Sequence, residues 1–199
     1  MRDNGIKIIR TQKHKVTTDS NHASNISPNL LDQDFFADGP NQKWAGYISY
    51  IWTNEGWLYL AVILDLYSRR VIGRAVSNRM KRDLAIRALD MAVALRQSPE
   101  GCIHHTDRGS QYCSNNYQNL LTKHGFEVSM SGKGNCYDNS MVETFFKSIK
   151  AELIWRNRWE TRRQAEGAIF QYINGFYNPR RRHSSLGGKS PLAFERKAA

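Results

Sequence analysis

The sequence predicts an α/β fold in which helices flank a five-stranded mixed sheet. Three β-type runs between residues 44 and 78 follow one another through short turns, which indicates an antiparallel meander. Helical and extended segments then alternate to about residue 154, a succession typical of a layered sheet. With 199 residues, 40% of them hydrophobic, the chain is long enough for one domain with extensions and a substantial core.

The three consecutive strands are predicted from apolar runs separated by turn residues. The run 44–53 (WAGYISYIWT) reaches a tight turn at 53–56, and the run 57–66 (WLYLAVILDL) is nearly all apolar. A run without polar alternation is expected of a strand whose two faces are both covered. After a turn at 67–70, the run 71–78 (VIGRAVSN) forms the third strand.

Helices and short strands alternate after the meander. Apolar residues at helical spacing predict a helix over about 81–96: Leu84, Ala88, Met91, Ala92 and Leu95. The run 102–107 (CIHHTD) is a short fourth strand, and a second helix over 115–124 is closed by Gly125. The run 126–131 (FEVSMS) is the fifth strand.

A further helix, over about 140–154, carries two different faces. One face is apolar and predicts burial: Val142, Phe145, Phe146, Ile149 and Leu153. Glu143, Lys147 and Lys150 lie at i, i+4 and i+7 and therefore share another face. A last long helix is predicted to begin after a cap at Thr161.

Composition and charge exclude several classes of protein. The 29 Lys and Arg against 18 Asp and Glu give a net charge of +11, which favours a nucleic-acid partner. No apolar run approaches the roughly 18–20 residues that cross a bilayer, and the beginning of the chain shows no apolar signal core. A cytoplasmic protein without a membrane partner is expected. Neither a disulfide framework nor a zinc site is expected from Cys102, Cys113 and Cys136, which lack paired spacing.

Two acids occupy positions suited to chemistry. Asp107 directly follows the fourth predicted strand, and ligands bind at the strand ends of open α/β sheets. Glu143 shares its helix face with two lysines, which suits a metal ion held beside a phosphate backbone. The alternative is a solvated face whose i,i+4 ion pair is worth about 0.2–0.5 kcal/mol.

Five blocks of the chain carry a resemblance to a known family. They run in order between residues 41 and 195: NQKWAGYISYIWT, WLYLAVILDLYSRRVIG, IHHTDRGSQY, SMSGKGNCYDNSMVETFFKSIKAEL and YNPRRRHSSLGGKSPLAFE. The chain resembles the DDE transposases of bacterial insertion sequences, of the second-reading-frame type, which are related to retroviral integrases. The blocks that contain Asp107 and Glu143 are highly specific.

The resemblance implies an RNase H-like core and DNA strand transfer assisted by Mg²⁺ or Mn²⁺. Three carboxylates would hold two divalent ions, one activating the attacking hydroxyl and the other stabilising the leaving 3′ oxygen. Oxygen ligands suit such hard cations better than Cys or His does. Asp107 matches the second carboxylate and Glu143 the third, so these two are the predicted catalytic and metal-binding residues.

The first carboxylate is replaced by a tyrosine. The family pattern Trp-x-Gly-Asp-Ile reads Trp-Ala-Gly-Tyr-Ile here, which places Tyr47 at the acid's position. A phenol has a reference pKa of about 10 and offers no anionic oxygen at pH 7. Asp65 is an unsuitable substitute. Tyr47 is predicted to pair with Val62, and Asp65 lies three residues beyond Val62, which is roughly 10 Å along the strand. We therefore expect an impaired metal site.

The predicted DNA-facing surface lies toward the end of the chain. From Lys147 onward there are 12 Lys or Arg and 4 acids, so this stretch carries +8 of the +11. The residues predicted to contact DNA phosphates there are Lys147, Lys150, Arg180, Arg181, Arg182 and His183. The resemblance adds Asn135 and Asn139 as DNA-end contacts, which turn chemistry also explains. Tyr112 and Trp155 are expected either to pack in the core or to stack on an unpaired base.

The expected organisation is a basic arm (1–40), a catalytic core (41–155) and a helical basic extension (156–199). The arm is interpreted as the remnant of a missing DNA-binding segment and linker. The leading hypothesis is a DNA transposition and integration protein with impaired metal-dependent strand cleavage and transfer. The alternatives are a non-catalytic DNA-binding or regulatory remnant that associates with intact transposase, and a residual nuclease with one weakly held metal.

The expected partners follow from the resemblance. They are element-end and target DNA, further copies of the chain, and the product of an upstream reading frame. The expected location is the bacterial cytoplasm, in association with the nucleoid.

Overall fold

The structure, a computed structural model, describes residues 26–132 and 136–197 and contains the predicted five-stranded mixed sheet, in the order β3-β2-β1-β4-β5. The antiparallel meander comprises β1 (Lys43–Thr53), β2 (Gly56–Asp65) and β3 (Val71–Ser77). Parallel to β1 lie β4 (Ile103–Thr106) and then β5 (Glu127–Met130). The hairpin and crossover succession read from the sequence is therefore confirmed.

The helices have the following bounds: α1 (Arg82–Arg96), α2 (Asn115–Lys123), α3 (Ser140–Glu152), α4 (Arg162–Gln171) and α5 (Pro191–Glu195). Short 3₁₀ turns occupy Cys136–Asn139, Ile154–Arg156 and Ser184–Leu186, and a π-helical segment, Tyr172–Tyr177, continues α4. The helix predicted over 140–154 ends at Glu152. Thr161 caps α4 as predicted, its side chain accepting a hydrogen bond from the Gln164 N–H. No described helix is long and apolar enough to span a bilayer.

The sheet separates two apolar clusters, and β2 contributes to both. Ala61 and Ile63 join the cluster covered by α1 and α2, whereas Leu60, Val62 and Leu64 join the cluster covered by α3, α4 and the π-helical segment. All five side chains are almost completely buried. Burial on both faces explains why the sequence of β2 lacks polar alternation.

Helix α1 packs closely against β3 because small residues meet at the contact. A Cβ added to Gly73 would lie 2.2 Å from the Ala88 carbonyl oxygen and 2.9 Å from the Ala92 Cβ. Two side chains of the predicted apolar stripe, Met91 and Leu95, are instead 40% and 48% exposed. The small residues face the sheet, so the larger ones at the edge of the stripe are left in solvent.

Asp65 has a structural role in the turn between β2 and β3. Its buried carboxylate accepts hydrogen bonds from the backbone N–H groups of Asn41 (2.7 Å), Tyr67 (3.0 Å) and Ser68 (3.3 Å). Tyr47 pairs with Val62, as the turn position predicted, and Asp65 pairs with Trp44. Asp65 is therefore held at the turn, apart from the position of Tyr47.

Residues beyond the predicted core boundary pack into the same core. The Asn178 side chain bonds both the N–H and the C=O of Val71, each at 3.0 Å, and so caps the start of edge strand β3. Glu195 accepts hydrogen bonds from Ser68 (2.6 Å) and Arg70 (2.7 Å) and pairs with Arg96. These contacts join α5 to the β2–β3 turn and to α1.

The described part of the predicted arm is attached to β5. The backbone N–H groups of Leu30 and Leu31 donate to the Ser129 hydroxyl at 2.9 and 3.2 Å, and Leu31 is buried in the core. The Met130 N–H donates to the Pro28 carbonyl at 3.1 Å. Residues 1–25 of the predicted arm lie outside the described residues.

Replacing Gly73 with alanine is expected to destabilise the fold, because the new methyl group would overlap the α1 backbone. Overpacking of this kind costs about 1–3 kcal/mol. The matched control is Gly167→Ala in α4, where an added Cβ meets nothing within 4 Å. That substitution should stabilise the protein by about 1 kcal/mol through helix propensity. Chemical denaturation of both variants measures the two signs, and equal effects would contradict the close packing at Gly73.

Candidate active site

Asp107 follows β4 near the centre of the sheet, and its carboxylate is partly buried. Its Oδ1 accepts a hydrogen bond from the Gly109 N–H at 2.9 Å. A Cβ at residue 109 would lie 2.9 Å from the same oxygen, so the loop needs glycine to approach the carboxylate. Burial raises the pKa of Asp107, and the negative charge of Glu143 raises it further.

Glu143 lies in the first turn of α3, partly exposed. Helix α3 is held against the sheet by its apolar stripe, in which Val142, Phe145, Phe146 and Ile149 are buried. Phe146, one turn after Glu143, lies with its ring centroid 5.6 Å from that of Tyr47. The packing of α3 on β1 therefore brings Glu143 to the side of the sheet on which Tyr47 projects.

Tyr47 lies in the middle of β1, one residue beyond the Gly46–Thr106 pair that ends the β1–β4 ladder. Burial raises its pKa to about 12, with further upward contributions from the charges of Asp107 and Glu143. Tyr47 therefore lies within electrostatic range of both carboxylates. At pH 7 the site thus consists of two carboxyl groups and one neutral ring.

Two carboxylates of the site are candidate ligands for a divalent cation. Asp107 and Glu143 offer the oxygen ligands that Mg²⁺ and Mn²⁺ prefer. Within the described ranges, no three His, Cys, Asp or Glu side chains are grouped so that they could hold a metal ion. Tyr47, at the position where the resemblance expects a third acid, carries no carboxylate, and Asp65 is engaged at its turn.

The two histidines before Asp107 have structural positions on opposite faces of β4. His104 Nε2 lies 2.8 Å from the Tyr117 hydroxyl, and His105 lies between the hydroxyls of Ser129 (2.8 Å) and Ser131 (3.2 Å). Burial lowers the pKa of His104 to about 3 and that of His105 to about 4. Both rings are therefore neutral at pH 7.

The residues predicted to contact DNA differ in availability. Lys147, Arg180 and Arg182 are exposed. The Lys150 ammonium lies 5.5 Å from the centroid of the Tyr50 ring, and partial burial lowers its pKa. These four cations remain candidates for phosphate contacts.

Arg181 and His183 are held by other side chains. The Arg181 guanidinium bonds the Glu152 carboxylate through two nitrogens, at 2.7 and 2.9 Å. The half-buried His183 ring lies edge-on to Tyr177, with 5.1 Å between ring centroids. Contact with DNA through these two side chains stays a prediction, and the ion pair with Glu152 already neutralises the charge of Arg181.

Asn139 occupies the N-cap position of α3, but its side chain makes no capping hydrogen bond and is buried. Only 5% of it is exposed, and its Nδ2 donates to the Ser131 hydroxyl at 2.8 Å. The predicted DNA contact at Asn135 lies outside the described residues. Sequence analysis missed Asp138, a buried carboxylate that accepts from the Gly132 N–H (2.7 Å) and the Asn29 side chain (3.1 Å) and so orders the approach to α3.

Trp155 and three aromatic side chains near the β1–β2 turn are exposed to solvent. Trp155 is 69% exposed, which excludes core packing for it, whereas Tyr112 is buried. Near the β1–β2 turn, Tyr50, Trp52 and Trp57 are exposed, and none of the three was predicted as a functional residue. Alternation along the two strands is the signal that would have placed these three on one face.

Comparison with known families agrees with this architecture. An integrase core domain model matches residues 37–136, and a second integrase core domain model matches residues 124–191. The sequence is 49% identical over 197 residues to the Escherichia coli transposase InsF for insertion sequence IS3A, covering 99% of this chain and 68% of that protein. It is 45% identical over 192 residues to the 31 kDa protein of insertion element IS600 from Shigella sonnei, covering 96% and 71% of the two chains.

Solved structures show the same fold at low sequence identity. The catalytic core domain of HTLV-2 integrase, in a dimeric form with magnesium, superposes with a TM-score of 0.62 at 18% identity, covering 80% of this chain and 99% of that one. A chain of the simian T-cell lymphotropic virus intasome gives a TM-score of 0.64 at 19% identity, covering 86% of this chain and 57% of that one. The RNase H-like fold of retroviral integrase cores is thereby confirmed. The chain belongs to the family of insertion-sequence DDE transposases that carry an integrase core domain.

Proposed function

We propose that this protein acts in DNA transposition and that its metal-dependent strand cleavage and transfer are impaired at Tyr47. The observation that carries the proposal is the neutral, partly buried phenol beside Asp107 and Glu143, where the charges of both acids help to raise its pKa to about 12. Family membership supports the reaction class, and the net charge of +11 supports a DNA substrate.

In this proposal Asp107 and Glu143 would hold Mg²⁺ or Mn²⁺, in keeping with the magnesium complex of the HTLV-2 integrase core. The ion supplies Lewis-acid polarisation of a phosphodiester and stabilisation of developing charge. The phenol offers only a neutral oxygen, and its ring occupies volume that a carboxylate would leave open. We therefore expect weak metal binding.

The residues of the chain itself would orient the acids and the DNA. The Gly109 N–H holds Asp107 in one orientation, and α3 presents Glu143 on the same face as Lys147 and Lys150. The lysines would contact backbone phosphates next to the acids, which fixes the register of the DNA without reading its sequence. Arg180 and Arg182 would extend the cationic surface.

Partners and location belong to the same proposal. Element-end and target DNA are the proposed substrates, and joining two DNA ends favours an assembly of at least two copies. The dimeric HTLV-2 core and the viral intasome are assemblies of proteins with this fold. Association with an upstream-frame product, a cytoplasmic and nucleoid-associated location, and the arm, core and extension boundaries at residues 40 and 155 remain further parts of the proposal.

A second candidate function is non-catalytic. The Tyr47 ring packs against Phe146, whose ring centroid is 5.6 Å away, so the phenol is accommodated as part of the core. A protein with an intact fold and a silent metal site would still bind DNA and associate with active transposase. It would then regulate or inhibit the assembly. Mn²⁺-dependent cleavage by the unaltered protein would exclude this candidate and favour a residual nuclease.

Tyr47→Asp is expected to restore metal-dependent cleavage of a duplex that carries the element terminus. The third carboxylate completes an anionic oxygen cage, so we expect a rate increase of at least 10²-fold, the lower end of what one electrostatic group contributes at an active site. Gel analysis of end cleavage in Mg²⁺ measures the effect.

Two controls accompany this experiment. Tyr47→Phe removes the hydroxyl without adding charge and should remain as inactive as the unaltered protein. Adding Asp107→Asn to the Tyr47→Asp variant should abolish the recovered activity. If the unaltered protein cleaves as fast as Tyr47→Asp, the proposed impairment is wrong.

Asp107→Asn is expected to stabilise the metal-free protein at pH 7. Because the folded pKa of Asp107 is raised, stability declines as the pH rises from the unfolded value of 3.8 through the folded value. The asparagine Oδ1 can still accept from Gly109 N–H, so removing the ionisation should raise the free energy of unfolding at pH 7. Thermal unfolding between pH 3 and 8 measures the difference, which should vanish at the acidic end. A constant difference at every pH would contradict the ionisation argument.

A further inference from the structure

Three large aromatic side chains project from the tip of the β1–β2 hairpin. Tyr50, Trp52 and Trp57 are 37%, 57% and 42% exposed. Trp52 and Trp57 are directly paired across the hairpin, and Tyr50 lies two residues before Trp52 on the same face of β1. Single exposed aromatics are common, but three in contact at one place form an apolar patch that indicates binding.

Edge-to-face contacts hold these rings in place. The Trp52 and Trp57 ring centroids lie 4.8 Å apart at an interplanar angle of 75°, and those of Tyr50 and Trp57 lie 5.0 Å apart at 84°. In such contacts the edge of one ring meets the face of the next, so some ring faces remain in solvent. Rings held in this way lose little conformational freedom when a planar partner stacks on them.

Lys150 links α3 with the aromatic patch, which lies on the opposite face of the sheet: Tyr50 pairs with Tyr59, which packs on the α1 and α2 cluster, whereas Tyr47 packs on the α3 cluster. Lys150 touches the patch through its ammonium group, 5.5 Å from the centroid of the Tyr50 ring. Glu143, Lys147 and Lys150 follow one another on the same face of α3. At about 1.5 Å per residue, Glu143 and Lys150 are roughly 10 Å apart along the helix. A strand that contacts both the patch and the lysines would therefore pass Lys150 around the free edge of β1, which pairs with β4 only over residues 43–46.

The charges along this face of α3 favour a strand of nucleic acid. Lys147 and Lys150 make no ion pair within the described parts of the chain. The acids near the tip are engaged with other groups: Glu55 accepts from the Arg162 N–H at 2.8 Å and Glu160 from the Asn54 side chain at 2.8 Å. The ammonium groups of Lys147 and Lys150 thus lie nearer to the carboxylates, and the aromatic rings lie beyond Lys150.

We propose that Tyr50, Trp52 and Trp57 form a stacking platform for unpaired bases of a single DNA strand whose phosphates contact Lys147 and Lys150. This inference rests on the proposed function in DNA transposition, because that function supplies the DNA strand. Stacking requires bases that are not paired in a duplex, and every base offers a π-face, so the platform binds single strands without reading their sequence.

The test compares binding of a fluorescently labelled oligothymidylate and of a duplex of the same length, by anisotropy in metal-free buffer. Trp52→Leu should weaken single-strand binding about 5- to 100-fold, the range that stacking contributes per base. Duplex binding should change less than about twofold. Trp52→Phe, which keeps an aromatic face, should retain most of the single-strand affinity. Unchanged single-strand affinity in both variants overturns the proposal.

Two further variants separate stacking from other causes. Phe36→Ala removes a 71% exposed ring that follows the Asp34–Lys43 ion pair, at the end of β1 opposite to the hairpin tip, and should leave binding unchanged. Lys147→Gln should weaken single-strand and duplex binding alike and reduce the salt dependence by about one phosphate contact. Equal loss with Phe36→Ala would indicate non-specific contact and overturn the proposal.

A second copy of the chain is the competing occupant. If Trp52→Leu lowers the oligomeric state in sedimentation without changing oligothymidylate affinity, the patch is a protein interface and the proposal fails. Failure of the proposed function is a separate result, because binding is measured without metal and without cleavage. A protein that never cleaves can still show the platform, and a cleaving protein can lack it.

Discussion

The burial of Asp107 next to a second carboxylate is the constraint on which the candidate site depends. Burial and the charge of Glu143 both disfavour ionisation and raise the pKa of Asp107. The hydrogen bond from the Gly109 N–H acts in the opposite direction, because it favours the ionised carboxylate. Divalent cations relieve this kind of repulsion. With Tyr47 as the third member, the site has less negative charge to neutralise. In the proposed function, a tyrosine at this position would remove repulsion and weaken the attraction for metal.

The rest of the fold holds three separate segments of the chain close to the candidate site. Strand β1 supplies Tyr47, β4 leads into Asp107, and α3 carries Glu143. Helix α3 is covered in turn by α4 and the π-helical segment, whose apolar residues belong to the same cluster. Asn178 and Glu195 then fasten the end of the chain to β3 and to the β2–β3 turn. Residues after 155 thus stabilise the site as well as adding charge.

Charge and exposure distinguish the side of the molecule that is proposed to meet DNA. Lys147 and Lys150 of α3 lie between Glu143 and the aromatic rings of the hairpin. Two of the four side chains at residues 180–183 are instead held by contacts within the protein. Arg181 neutralises Glu152, and His183 packs on Tyr177. A high count of cations is therefore a poor measure of the surface that meets DNA, since ion pairs within the protein remove part of it.

Local periodicity and turn residues in the sequence predict the succession of strands and helices and the register of Tyr47 against Val62, both of which the structure confirms. Motifs in the sequence predict Asp107 and Glu143 as the two acids of the site. Which side chains are available depends on the tertiary packing. Arg181 meets a partner 29 residues away, and Lys150 meets Tyr50 on another element. Asn139 and Trp155 are polar and aromatic in sequence, yet the first is buried and the second exposed. Availability depends on contacts between distant segments, which no local pattern of residues contains.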